Sequence, residues 1–236
     1  MVQTIKLGSL YLDGKSIAPE AKCQSGQAIS FGEAVPDMAI SWVPVNGLLI
    51  ADRCLLTNIS WDNLEANGLA SGKEITVQGF RFKIRLLKVG SEEGVPNEWD
   101  AALDTVGEDD ALWHWYGKYF CGQESVRGAA SSRVIRGYES ARSFYWLSSD
   151  YRDTSLGFRP ALEPLSTDPA ALMHGQKVLV IGRAGAVVGS LIDATAYDLV
   201  IQPNAGGQIR EVSFAAKMQD GTLVVDRSGV LSIATT

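Results

Sequence analysis

The chain has 236 residues, of which 46% are hydrophobic and 20% are charged. These values are ordinary for a globular protein and exclude an intrinsically disordered chain. The formal net charge of −6, with lysine and arginine scattered along the chain, excludes the basic surface that nucleic-acid-binding proteins carry.

Turn dipeptides predict β-hairpins in the first part of the chain. Asp13-Gly14 follows the alternating apolar positions of residues 5–12, and Asn46-Gly47 joins the apolar runs 42–45 and 48–51. Both dipeptides are typical of two-residue hairpin turns, because their residues accept a positive φ. We therefore expect two hairpins in this part of the chain.

Three short helices are predicted next. Ser60 has the side chain of a helix N-cap before residues 61–66. Residues 96–103 form a second candidate, and residues 109–120 form a third, because the aspartates at the start of the third suit the positive end of the helix dipole. The third segment is rich in aromatic residues, which at helical spacing indicate packing in the core.

Residues 75–77 and 80–84 are predicted strands on either side of Gly79. The basic residues of this region alternate along the second strand and its end, and they are Arg81, Lys83, Arg85 and Lys88. Alternation places successive side chains on opposite faces of a strand, so we interpret these four as one solvated face.

The composition changes after Pro164, and Ser166–Pro169 is a predicted linker. Asp220-Gly221 predicts another hairpin turn. The strand-like segments that follow the linker are 177–181, 186–192, 197–202, 212–218, 222–225 and 230–234. Together they predict a small all-β domain over residues 172–236.

The three cysteines, Cys23, Cys54 and Cys121, match no CxxC spacing and are odd in number. We expect reduced, buried thiols and neither a metal site nor a cofactor. The first twelve residues lack the continuous apolar segment of a signal peptide, and no stretch approaches the roughly 18 apolar residues of a membrane span. These features predict synthesis in the cytoplasm and no membrane insertion.

The most informative pattern lies in residues 136–162. A strand ending in Phe144–Ser149 is followed by a polar loop and by a last strand, Leu156–Leu162. This arrangement resembles the C-terminal signature of C-type-lectin-like domains. It is closest to the branch that contains formylglycine-generating-enzyme-like domains and the retroelement-diversified receptor-binding proteins of phages and bacteria.

The resemblance covers residues 40–165 and implies an α+β fold. Residues 1–165 would form a C-type-lectin-like domain with short helices, a twisted antiparallel sheet and an N-terminal hairpin, followed by the small all-β domain. In such proteins a loop face on a rigid scaffold binds the ligand. The implied ligand-binding residues are Arg142, Tyr145, Ser148, Asp150, Tyr151, Arg152 and Asp153.

Four further residues of the motif have an implied structural role: Trp146, Gly157, Phe158 and Arg159. A glycine in a strand lets a neighbouring group approach the backbone closely. The planar guanidinium of Arg159 offers five N–H donors that suit loop carbonyls or a carboxylate beneath the surface.

The enzymatic members of the family that the sequence resembles need two neighbouring cysteines, and only Cys121 lies near the motif. The histidines, His114 and His174, form no recognisable hydrolase motif. The leading hypothesis is therefore a non-catalytic recognition or structural module of a phage or prophage virion, forming a homo-oligomer. Its partner would be a host surface glycan, a host protein or another virion component.

Two alternatives stay open from the sequence. One is an enzyme of the formylglycine-generating-like superfamily with altered chemistry, which would place a concave pocket beside Cys121 or Arg159. The other is a phage-encoded inhibitor of a host protein, for which the acidic charge would suit a basic target.

Overall fold

A computed structural model of the chain describes residues 3–165, 171–204 and 212–236. Strands hold 49% of the described residues and helices 10%. The predicted α+β class is therefore wrong, and the chain is all-β in character. The α-helices are short and few beside the strands, and in the aromatic segment 109–120 the helix ends after a single turn and a strand begins at Tyr119.

The described strands, numbered in chain order, are β1 (Ile5–Leu12), β2 (Lys15–Ile17), β3 (Ala21–Lys22), β4 (Ile29–Gly32), β5 (Ala39–Val45), β6 (Leu48–Ala51), β7 (Leu56–Thr57), β8 (Lys73–Val77), β9 (Phe80–Leu86), β10 (Tyr119–Val126), β11 (Ala129–Gly137), β12 (Phe144–Ser148), β13 (Leu156–Phe158), β14 (Pro160–Pro164), β15 (Lys177–Gly182), β16 (Ala186–Ala194), β17 (Asp198–Pro203), β18 (Ala215–Lys217), β19 (Leu223–Asp226) and β20 (Val230–Thr235). The α-helices are α1 (Trp61–Ala66), α2 (Glu98–Val106) and α3 (Asp110–Trp113).

These strands form three sheets. The first has the order β2-β1-β5-β6-β14-β9-β8, with β4 also paired to β1. The second has the order β12-β11-β10-β13-β7-β3, so β12 lies at its edge. The third, β18-β19-β17-β16-β15-β20, consists only of residues after the predicted linker. The predicted linker itself lies outside the described residues. Of the predicted strand 212–218, the part that forms a strand is β18 (Ala215–Lys217).

The turn dipeptides form the hairpins that the sequence predicts. Asp13 and Gly14 have φ values of 49° and 78°, and Asn46 and Gly47 have the same pair of values. Two successive positive φ angles are those of a type I′ turn, whose twist matches that of the flanking strands. The β1–β2 and β5–β6 hairpins therefore confirm the sequence prediction.

Helix α1 has the predicted bounds, whereas α2 is displaced and α3 is shorter than predicted. The side chain of Ser60 accepts a hydrogen bond from the backbone N–H of Asn63 at 3.1 Å, which confirms this N-cap of α1. Helix α2 starts two residues later than predicted, after its N-cap Asn97. Helix α3 stops at His114, whose φ of 47° is left-handed and cannot continue an α-helix. Residues 114–120 are therefore not helical, contrary to prediction.

The predicted last strand, 156–162, is two strands in different sheets. Strand β13 joins β10 and β7 in the second sheet, whereas β14 joins β6 and β9 in the first. Arg159 lies between them. The chain thus passes from the second sheet to the first at this residue.

The third sheet packs against the first. The side chain of Ser232 on β20 donates to the backbone carbonyl of Gly47 at 2.6 Å, and the N–H of Asn46 donates to the carbonyl of Arg183 at 2.9 Å. Leu179 and Ala234 of the third sheet belong to the same apolar core as the first sheet. The C-terminal β-region is therefore docked on the rest of the chain. In the part of the chain that the structure describes, no helix is long and apolar enough to cross a membrane.

Candidate functional site

Three tyrosines meet at the surface of the second sheet: Tyr119 on β10, Tyr145 on β12, and Tyr138, which directly follows β11. We call these three residues the tyrosine cluster. The rings of Tyr119 and Tyr138 are stacked, with centroids 4.6 Å apart and planes 9° from parallel. The ring of Tyr145 meets Tyr119 edge-on at 5.8 Å. Such contacts fix the rings relative to one another, so their exposed edges and faces form a rigid aromatic surface.

The backbone of Tyr138 has an unfavourable conformation. Its φ of 83° lies in the region that favours glycine and is rare for a bulky residue. Two hydrogen bonds hold it there: the N–H of Tyr138 donates to the carbonyl of Trp115 at 3.0 Å, and the N–H of Gly117 donates to the carbonyl of Tyr138 at 2.9 Å. The strained residue keeps 38% of its surface exposed. The turn after α3 therefore positions this ring on the cluster.

The hydroxyl groups of the cluster lie close enough to influence each other. Burial raises the pKa of Tyr119, and the neighbouring Tyr145, Glu139 and Tyr138 raise it further. The hydroxyl of Tyr119 thus stays protonated at neutral pH and can both donate and accept a hydrogen bond. A surface of this kind offers apolar ring faces together with polar edges.

Several predicted ligand-binding residues lie on or after β12 and are exposed. Tyr145 and Tyr151 each keep 45% of their surface accessible. The hydroxyl of Ser148 donates to the carboxylate of Asp150 at 2.5 Å. Of the four residues named in this paragraph, Tyr145 is the one that belongs to the tyrosine cluster.

Arg142 is engaged within the chain. Its guanidinium donates to the carboxylates of Asp104 at 2.7 Å and Glu108 at 3.0 Å, and it lies 3.7 Å from Asp100. These contacts fasten the turn between β11 and β12 to α2 and the residues that follow it. The arginine keeps 44% of its side chain exposed, so one side still faces solvent.

Arg152 and Asp153 shape the loop that leads into β13. Arg152 donates to the backbone carbonyls of Asn58, at 2.7 Å, and Cys23, at 2.8 Å. The carboxylate of Asp153 accepts hydrogen bonds from the hydroxyl and the backbone N–H of Ser155, and these bonds lower the pKa of Asp153. Both side chains therefore hold the loop in place and are committed to contacts within the chain.

The residues with an implied structural role separate into surface and core. Trp146 is 56% exposed on β12. A side-chain carbon at Gly157 would lie 2.6 Å from the carbonyl of Leu56 and 2.7 Å from the sulfur of Cys54, so only glycine fits there. Phe158 is fully buried.

Arg159 is fully buried where the chain changes sheets. Its guanidinium donates to the carbonyls of Trp113 at 2.6 Å, Asp52 at 2.9 Å and Ala51 at 3.1 Å. It also lies 4.9 Å from the ring centre of Phe120. The side chain therefore binds loop carbonyls beneath the surface, and it joins α3 to the first sheet.

A separate cleft of about 610 Å³ lies beside α2 and β9. Arg85, predicted to face solvent, is buried there: its guanidinium pairs with Glu98 at 2.8 Å and with Glu163 at 2.8 Å. The solvated-face prediction is wrong for this residue because α2 covers its end of β9. The charged groups satisfy one another, and neither Cys121 nor Arg159 lines this cleft.

Sequence reasoning missed two members of the cluster, Tyr119 and Tyr138. The aromatic segment was predicted as one helix, which would have buried Tyr119. Gly117, with a φ of 69°, was the available signal, because a glycine at that point ends a helix and starts a turn. Among the residues that the structure describes, no group of three or more histidines, cysteines and carboxylates could hold a metal ion.

Comparison with protein-family models, with curated proteins and with solved structures gave no match for this chain.

Proposed function

We propose that this chain is a non-catalytic recognition module that binds a surface glycan or a protein through the tyrosine cluster. The observation that carries the proposal is the strained backbone of Tyr138, whose ring is held at the surface against Tyr119. Strain of this kind persists only where the surroundings enforce it, and it is concentrated at functional sites. Packing alone would not need it, because the ring stays partly exposed.

The chemistry of the cluster suits recognition. Tyrosine supplies a large, rigid contact area at low conformational cost, together with a hydroxyl for hydrogen bonds. Lys118 and Glu139 flank the rings in sequence and add one charge of each sign. Such a surface can stack on the apolar face of a sugar ring or on an apolar side chain while its rim pairs with polar groups.

The properties of the cysteines favour a binding function over catalysis by a thiol. Burial raises the pKa of Cys54 to about 11 and that of Cys121 to about 12. Only the thiolate is an effective nucleophile, so both groups are largely inert at neutral pH. In the phage or prophage setting that the sequence resemblance implies, the partner would lie on the host surface or on the virion.

The test uses the full chain and a panel of immobilised bacterial glycans. The double variant Tyr138→Gly with Tyr145→Ser removes two rings and leaves the backbone at residue 138 unstrained. We expect its affinity for any glycan that the unmodified chain binds to fall by about tenfold or more, as for residues at the centre of an interface. Tyr197→Ser is the matched control, because Tyr197 is 79% exposed beside the third sheet.

Equal binding by the double variant and the control would contradict the proposal. If the panel contains no ligand, the same three proteins are compared for binding to intact bacterial cells before and after protease treatment. Protease-sensitive binding that the double variant loses would identify a protein partner.

A further inference from the structure

We propose that the second sheet carries another binding site, on the face opposite the tyrosine cluster, which takes a quaternary ammonium group such as that of choline. A cavity of about 290 Å³ lies there between β12, the end of β10 and the loop that follows β9. Small-molecule sites begin at roughly 300 Å³, so the cavity suits a small headgroup. We call it the Trp146 cavity. Its proposed ligand is independent of the ligand of the tyrosine cluster.

Two aromatic side chains of β12 line the Trp146 cavity. Phe144 and Trp146 are two positions apart in the strand, so they lie on one face of the sheet, whereas Tyr145 lies on the other. Trp146 is 56% exposed, and its indole has no hydrogen bond or ring contact with any residue that the structure describes. Indole is the aromatic ring that attracts a cation most strongly. This ring can therefore accept a cationic ligand.

The loop after β9 adds two carboxylates to the cavity. Glu92 pairs with the guanidinium of Arg127 at 2.8 Å, so these two charges neutralise each other. Glu93 is exposed, and its carboxylate forms neither an ion pair nor a hydrogen bond with a described residue. The described charged residues of the lining therefore leave one negative charge beside two aromatic rings. This combination favours a cation over an anion or a neutral ligand.

Two arginines of β11 lie near β12 without lining the cavity. Arg136 lies opposite Phe144, with its guanidinium 5.6 Å from the ring centre, but it is buried and paired with Asp100 at 2.5 Å. Arg133 belongs to the face of the tyrosine cluster, and its guanidinium lies 3.8 Å from the ring centre of Trp61. Neither arginine therefore supplies an unpaired positive charge to the cavity.

The hydrogen-bonding groups of the cavity favour a quaternary ammonium group over a primary amine. A primary ammonium group has three N–H donors and is strongly hydrated. Both carboxylate oxygens of Glu92 already accept hydrogen bonds from Arg127, which leaves Glu93 as the unengaged carboxylate of the lining. A trimethylammonium group needs no acceptor. Its methyl groups can pack on the aromatic rings while Glu93 balances its charge.

The first test follows the indole N–H signal of Trp146 by nuclear magnetic resonance while choline chloride is added to the full chain at constant ionic strength. The chain has six tryptophans, and the signal that Trp146→Phe lacks assigns this one. We expect a saturable shift. Ethanolamine, with a primary ammonium group, and the uncharged isostere of choline, with carbon in place of nitrogen, should each bind at least about threefold more weakly. No shift with choline, or equal binding of either analogue, would overturn the inference.

Charge variants test the carboxylates, and the expected effects have opposite signs. Glu93→Gln should weaken choline binding by about twofold to fivefold, because the balancing charge is lost. Arg127→Gln should strengthen binding by a similar factor, because Glu92 is then no longer neutralised. Glu33→Gln is the matched control, since Glu33 is exposed and does not line the cavity. A Glu93→Gln variant that binds choline as tightly as this control would refute the site.

The aromatic wall is tested by Trp146→Leu, with binding followed by saturation transfer from the protein to the methyl protons of choline. We expect this variant to lose the transfer and to keep the far-ultraviolet circular dichroism spectrum of the unmodified chain. Tyr116→Leu is the control, because Tyr116 is 75% exposed and lies outside the cavity. Equal transfer in the two variants would contradict a role for Trp146.

Free choline and the headgroup of a choline lipid share this chemistry, and vesicles distinguish the two sources. Cosedimentation of the full chain with phosphatidylcholine vesicles that excess choline inhibits would assign the lipid headgroup. Choline binding without cosedimentation would assign a soluble ligand or a choline substituent of a larger molecule. Either result supports the site, because both require that choline itself binds.

Discussion

The guanidinium of Arg159 donates a hydrogen bond to the backbone carbonyl of Trp113 at 2.6 Å, and this contact ties the point where the chain changes sheets to the end of α3. The same side chain binds the carbonyls of Ala51 and Asp52. One buried arginine therefore satisfies carbonyls from two separate segments. Its position also fixes the turn after α3, which carries Tyr116 and is hydrogen-bonded to Tyr138.

Replacing Arg159 should strongly destabilise the fold. Arg159→Met keeps much of the side-chain volume but leaves three carbonyls without their donor, and each unsatisfied buried group costs about 1–3 kcal/mol. We expect the free energy of unfolding in urea to fall by at least about 3 kcal/mol. Arg81→Met is the control, because Arg81 is exposed and its loss should change stability by less than about 0.5 kcal/mol. Equal stability of the two variants would contradict this account.

The strain at Tyr138 predicts that a glycine variant at this position is more stable than an alanine variant, which is the reverse of the usual order. At a positive φ, glycine avoids the steric cost of a side-chain carbon, which is about 1–2 kcal/mol. We expect Tyr138→Gly to be more stable than Tyr138→Ala by about 1 kcal/mol in chemical unfolding. At Tyr145, in the regular strand β12, the order should be the usual one, with alanine more stable. If alanine were the more stable of the two variants at both Tyr138 and Tyr145, Tyr138 would not be strained.

The ion pair between Arg85 and Glu163, which line the cleft, predicts a dependence of stability on pH. The hydrogen bond from Arg85 lowers the pKa of Glu163 from 4.5. A carboxyl with a lowered pKa in the folded state stabilises the protein fully above its unfolded pKa, and the contribution is lost as the pH falls through the folded pKa. The difference in unfolding free energy between the unmodified chain and Glu163→Gln should therefore be larger at pH 7 than at about pH 3.

Glu74→Gln is the control for this measurement, because Glu74 pairs with Arg81 on the exposed edge strand β8. Surface pairs contribute little to stability, so this variant should match the unmodified chain at both pH values. A Glu163→Gln difference that stays constant with pH would argue against the ion pair.

Burial of the three cysteines predicts slow reaction with thiol reagents. Burial raises the pKa of Cys23, Cys54 and Cys121, so little thiolate is present and access is limited. We expect an aromatic disulfide reagent to leave all three unlabelled in the folded chain and to label all three in guanidinium chloride. Ser148→Cys should add one rapidly labelled thiol. Rapid labelling of Cys121 in the unmodified chain would instead revive the enzymatic alternative.

The local structure was predictable where a short stretch of sequence determines it. Asp13-Gly14 and Asn46-Gly47 tolerate two positive φ angles, and both form the predicted turns. Ser60 caps α1 because its hydroxyl reaches a free N–H only three residues away. Gly157 was expected to allow a close approach, and the neighbours that need it, Leu56 and Cys54, come from a distant part of the chain.

The aromatic segment 109–120 shows the limit of periodicity. Its spacing fits a helix, but His114 and Gly117 both take positive φ angles, and Tyr119 pairs in β10 instead. Hydrogen bonds between the turn at 115–117 and Tyr138 stabilise this alternative, and they join residues more than twenty positions apart. A local pattern contains no information about such a partner.

The sequence by itself determined the turns, the N-cap of α1, the existence of most strands and the glycine at 157, because these depend on conformational preferences of neighbouring residues. Only the tertiary structure decided that residues 156–162 divide between two sheets, that Arg85 is buried, and that Tyr119, Tyr138 and Tyr145 form one surface. Each of these depends on which strands pair and on which elements cover them. Pairing joins segments far apart in the chain, and its free energy comes from contacts that no single segment contains.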